Sequence, residues 1–210
     1  GTIGTAGDVL EVADGARIDA AGGATGANGQ WNASARSELN VDTTVPAYDA
    51  AGYGSTVDGT RVSAAALGDA LGRATDVRLS TGSVEGETND VVFQFSAEVV
   101  KSQGRDARLT VDSLHDVVMR NASSIRSTAG ALHVDFDANA GNSELGGAIL
   151  IDAASIATNG GNIRFYGQGK ADTGYAEGRV VSAEGSDLYS GQAGITLSSS
   201  SLSTCATGAS

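Results

Sequence analysis

Aliphatic residues recur seven apart in three places: Val118, Ile125 and Leu132; Ile149, Ile156 and Ile163; Val181, Leu188 and Ile195. Superposing the three sets gives steps of 31 and 32 residues, which predicts a repeat of that length. A coiled coil also repeats every seven residues. Here, however, Ser127 to Gly130, Asn159 to Asn162 and Gly191 to Gly194 lie between the aliphatics, and glycine with asparagine at that density breaks a helix. Each unit is therefore predicted as short strand, turn and short strand. Alternation within the units agrees: Leu132, Val134 and Phe136 share one face while His133, Asp135 and Asp137 share the other. Ile163 and Phe165 oppose Asn162, Arg164 and Tyr166 in the same way. Val91, Phe93 and Phe95, then Leu109 and Val111, and near the start Leu10, Val12 and Ile18, continue the inward set.

The later units thus carry three strands and one longer loop, at about 138–147 in one and 167–178 in the next. Stacking them would pair each strand in parallel with its counterparts above and below, with the aliphatics in one inner column. The prediction is an all-β solenoid with three short strands per coil, long loop excursions and one short helix. That helix is expected from Ser63 to Leu71, lying over the solenoid. Residues 22–60 break the pattern and are predicted as an irregular excursion or a flanking strand pair.

Composition narrows the picture. With 30 glycines against one tryptophan and four phenylalanines, the chain suits a thin core in which each coil buries a few aliphatics. A formal net charge of −12 repels phosphate backbones, which argues against nucleic-acid binding. No stretch reaches the roughly 18 apolar residues of a membrane span. Cys205 is the single cysteine, so it has no internal disulfide partner. Because the sequence starts GTIGTAGD, the expectation is a single segment, 1–210, of a longer secreted protein.

The phrases RVSAAALGDALGRATDVRLSTGS, NDVVFQFSAEVV, IRSTAGALHVDFDA, GGAILID and SIATNGGNIRFYGQG resemble the exoproteins of bacterial two-partner secretion, the filamentous-haemagglutinin-like adhesins of Gram-negative bacteria. The resemblance covers about residues 60–170. It implies a right-handed parallel β-helix, export through a partner outer-membrane transporter, and a secreted or cell-surface location. It also implies attachment to a host-cell, bacterial or matrix receptor, either glycan or protein. One departure concerns the loop DFDANAGNSELGG, where such proteins often alternate aspartate with glycine and this chain has fewer carboxylates.

Candidate chemistry is sparse. Asp135, Asp137, Asn139, Asn142 and Glu144 match a calcium loop poorly, and a solvated polar loop is the expectation. His115 and His133 lack a third ligand at metal-site spacing and are expected to face solvent. Asp135, Asp137, Asp112 and Arg164 are the only candidates for polysaccharide cleavage on a β-helix, but outward Asp and Arg on adjacent rungs more often form surface ion pairs. No catalytic, cofactor or metal residue is assigned. The expected function is a non-enzymatic adhesin segment, a rigid rod and binding scaffold. The alternatives are a polysaccharide-degrading enzyme and a purely structural spacer of a contact-dependent toxin or filament. Trp31, Tyr48 and Tyr53, together with Tyr166 and Tyr175, are the candidate ligand contacts; such aromatics either stack on sugar rings or close the core. Asn32 and Asn121 begin N-glycosylation sequons, and Asn121 is expected to serve mainly in a turn.

Overall fold

The computed structural model describes residues 1–22, 26–46, 59–82, 89–142, 146–179 and 194–206. The chain opens with β1 (Thr2–Gly7), β2 (Glu11–Val12), β3 (Gly29–Ala35), β4 (Leu39–Asp42) and β5 (Thr60–Ser63), then α1 (Ala64–Gly72). It continues through β6 (Thr75–Thr81), β7 (Val91–Phe93), β8 (Glu98–Lys101), β9 (Ala107–Asp112), β10 (Val117–Met119) and β11 (Ser124–Ser127). After these come β12 (Leu132–Ala138), β13 (Gly146–Gly147), β14 (Ile149–Asp152), β15 (Ser155–Ala157) and β16 (Ile163–Gly167). β17 (Gly178–Arg179), β18 (Ile195–Ser198) and β19 (Ser201–Ser203) complete it.

These strands form three parallel sheets. Sheet A runs β1-β3-β6-β9-β12-β16, sheet B runs β2-β5-β4-β7-β10-β14-β18, and sheet C runs β8-β11-β15-β19. From β6 onward the chain enters A, B and C in fixed rotation, and each return lands beside the strand laid down one circuit earlier. The single antiparallel pair among the described residues is β13 with β17, a clasp between two loops. No helix of the described residues is long and apolar enough to cross a membrane.

Alternation decides which side chains turn inward. In sheet B, Val91, Val117 and Ile149 stack in register; in sheet C, Val99, Ile125 and Ile156; in sheet A, Leu109, Val134 and Ile163. All but the partly buried Ile163 are essentially sealed from solvent. Phe136 lies between Phe93 and Phe165, with ring centroids 5.9 and 5.4 Å away.

The corners have a backbone signature. Between sheets B and C the chain turns through Ser96, Ala122, Ala153 and Ser199, all with φ between +46° and +61°. The turns also bond to one another: Ser96 N–H donates to Asn121 O, Ala122 N–H to Ala153 O and Ala153 N–H to Ser198 O. Each corner is thus held by the one above it, so a conformation unfavourable for a single residue is imposed by its neighbours.

Several expectations are corrected. The inward residues of β10 are Val117 and Met119, on either side of the predicted Val118; Val118 turns outward and joins Val92, Ala148 and Leu150 in a separate apolar cluster. Ile163 pairs with Val134 rather than with Leu132. Ile195 pairs with Ile149, so it opens its circuit in sheet B instead of closing one; Val181 and Leu188 lie outside the described residues. Loops of unequal length shift the phase between circuits, which an even spacing along the sequence cannot register. Residues 22–60 are no mere excursion, since β3 is a full strand of sheet A and β4 sits inside sheet B. Phe95, predicted inward, is 59% exposed because the chain turns immediately after β7.

The predicted helix forms, N-capped by Ser63, whose hydroxyl accepts from Ala66 N–H. It does not lie over the body. It links β5 to β6 and packs its Ala66, Leu67, Ala70 and Leu71 into the main core, at the place where later circuits carry a strand of sheet C. A Cβ at Gly68 would overlap the carbonyl oxygen of Val100 in β8, so the helix covers the edge strand of that sheet.

Candidate functional site

Among the described residues, a group of charged and polar side chains lies on the outer face of sheet A. The parallel register puts Asp112, Asp137 and Tyr166 in one column and Arg78, Thr110, Asp135 and Arg164 in the next. Strands about 4.8 Å apart bring like residues side by side, so charges on successive rungs must alternate or be neutralised. The Asp135 column alternates. Arg164 grips Asp135 from one side through Nε at 2.6 Å and Nη2 at 3.0 Å, and Arg108 donates to it from the other. Burial alone would raise the Asp135 carboxyl, but the hydrogen bonds and charges of Arg164 and Arg108 outweigh it and hold the group below its ordinary value.

The neighbouring column is acidic. Burial raises Asp112, and its ion pair with Arg78 only partly offsets this. Asp137 is pushed up to about 6, first by burial and then by Asp112 beside it; the N–H of Gly169, 3.2 Å from its Oδ1, offsets part of the shift. The Tyr166 phenol is pushed up to about 12 by burial and by Asp137 and Asp112. One acid held ionised next to another that resists ionisation is the division general acid–base chemistry uses. Their access to solvent is small: Asp135, Asp137, Asp112 and Tyr166 are 2, 3, 8 and 8% exposed. The expected ion pairs between adjacent rungs form, with the arginine side chains 40–52% exposed and the carboxylates of Asp135 and Asp112 tucked beneath them.

The other candidates fall as follows. Trp31 is in β3 and fully buried, with its indole N–H 3.0 Å from Thr5 Oγ1; it closes the core and offers no ligand face. Tyr166 is buried beside the carboxylates, likewise a correction to its reading as a ligand contact. Tyr48 and Tyr53 lie outside the described residues. Tyr175 is 64% exposed and stands on the loop after β16. His115 is buried, contrary to expectation, whereas His133 is half-buried and its Nδ1 accepts from Asn162 N–H at 3.2 Å. Of the calcium-loop residues, Asp135, Asp137 and Asn139 are buried and Glu144 is outside the described residues. Among the described residues no group of three His, Cys, Asp or Glu side chains is placed to hold a metal ion. Asn121 is exposed at a sheet B to sheet C corner and Asn32 lies within β3; Cys205 is a free, exposed thiol.

Sequence reasoning missed an open cleft of about 340 Å³ along the corner between sheets B and C, bordered by Phe95, Arg120, Asn121 and Asp152. Its signal was there: a polar or aromatic residue falls just before the corner in QFSA, RNAS and DAAS, a recurrence visible only once the turns are aligned. No protein-family model, curated protein or solved structure matches this chain.

Proposed function

We propose that this chain is a right-handed parallel β-helix segment of a secreted or surface-displayed adhesin, a stiff rod that holds contact surfaces away from the cell. The observation that carries the reading is the fixed rotation through three parallel sheets with strands in register from circuit to circuit. Parallel strands joined by crossovers wind right-handed almost without exception, which supplies the hand. A stack whose units contact only their neighbours is rigid along its axis and lets loops vary outside it, which suits recognition at a distance. The resemblance of residues 60–170 to two-partner-secretion exoproteins supports export through an outer-membrane partner transporter. The reading is non-catalytic, because the acids an enzyme of this shape would use are closed off by burial.

Beads coated with the chain test the attachment role. They are expected to stay on glycan-bearing epithelial or bacterial surfaces under flow at least several-fold longer than beads coated with an unrelated acidic protein. Equal retention would reduce the chain to a spacer.

A further inference from the structure

Resting on the attachment reading, the geometry points to a binding site for neutral hexose units in the cleft between sheets B and C. Successive circuits build its wall: Phe95 precedes one corner, Arg120 and Asn121 lie at the next, and Asp152 at the one after. Val118 and Leu150 form an apolar base that is 3% and 7% exposed, and the open apolar surface above it is the ring of Phe95. Phe95 stands at the mouth, 59% exposed, with the Arg120 guanidinium 5.4 Å from its ring centre. An aromatic face beside an apolar floor fits the C–H face of a pyranose ring.

The polar groups say which sugar. Among the described residues Arg120 Nε is buried and has no hydrogen-bond partner, an arrangement that costs stability unless water or a ligand supplies the acceptor. Asp152 follows Ile151, which pairs with Met119, so it is on the rung next to Arg120; among the described residues no ion pair joins the two. A cleft holding one cation, stacked on Phe95, and one anion is not complementary to a ligand of either sign, since one of the two would repel it. Hydroxyls both donate and accept, so a vicinal diol satisfies the guanidinium, the Asn121 amide and the Asp152 carboxylate together. The net charge of −12 acts in the same direction against polyanions.

The test is ¹H–¹⁵N NMR titration of the full chain with gluco-, manno- and galacto-configured neutral trisaccharides and with a galacturonate trimer as the acidic comparison. At least one neutral trisaccharide should shift the amides of Phe95, Arg120, Asn121 and Asp152. Phe95→Ala and Asp152→Ala should each weaken it about tenfold or more, with the circular dichroism spectrum unchanged, while Asp8→Ala, at an exposed position outside the cleft, leaves the affinity as it was. Failure of all three neutral sugars to move these amides overturns the site, as does binding of the acidic trimer alone or undiminished binding by both variants. Because bead retention is measured separately, a blank titration with retained beads sinks this cleft and spares the attachment reading.

Discussion

Asp137 shows how one side chain writes a pH dependence into the fold. Its carboxyl titrates at about 6 in the folded chain, above its ordinary value, so the stability it lends is full below the ordinary value and is lost as pH rises through 6. Asp135 has the opposite sign: held low by its arginines, it contributes above the ordinary value and loses that contribution on acidification. A shift of about two units corresponds to about 3 kcal/mol, and residual solvation of the group brings that to about 2. Asp137→Asn keeps an acceptor for Gly169 N–H and removes the charge. Urea unfolding should show the variant more stable than the parent by about 2 kcal/mol at pH 8 and equal to it near pH 4; equal stability at both would contradict the assignment. At the corner, Ala122 holds φ of +61° with its side chain exposed. Left-handed backbone costs an alanine about 1 kcal/mol and a glycine little, so in urea unfolding Ala122→Gly should raise the unfolding free energy slightly, by up to about 1 kcal/mol. A loss above 1 kcal/mol would mean that the corner is not strained.

Among the elements, α1 carries the clearest test. Gly68 lies mid-helix, where alanine is ordinarily worth about 1 kcal/mol more. Here the added methyl would overlap the carbonyl oxygen of Val100, backbone that cannot swing aside, so Gly68→Ala should destabilise by about 2 kcal/mol or more despite the better propensity. A stabilised variant would place the helix away from β8. The helix was legible in the sequence because its alanines and capping serine act locally; its place in the core was not, since contact with β8 depends on residues some thirty positions on. The strands divide in the same way. Alternation correctly placed Leu132, Val134 and Phe136 inward, yet Val118 and Phe95 were assigned to the wrong side, because alternation persists only until the chain turns and the corners here use serine and alanine instead of glycine. The buried charges were hidden for a related reason. Asp135 and Asp137 read as exposed in a strand taken alone, and only the neighbouring rungs and the loops outside them remove the water.

Across the whole molecule, the claim is that successive circuits stack in parallel about a common core. Composition made the thin core legible: with few large apolar residues, stability must come from many small contacts repeated from rung to rung, plus the Phe93, Phe136 and Phe165 stack. The repeat length was only partly legible, because loop insertions between sheets A and B lengthen some circuits and leave others short. Among these charges Asp135 joins successive layers of sheet A through Arg108 and Arg164. Cross-strand NMR contacts test the stacking most directly. The account predicts amide-to-α-proton contacts linking Ser124–Arg126 to Ser155–Ala157, and those in turn to Ser201–Ser203, all running in the same direction. Short α-proton to α-proton contacts between these segments would mean antiparallel hairpins, and the stacked core and the rod built on it would both fall.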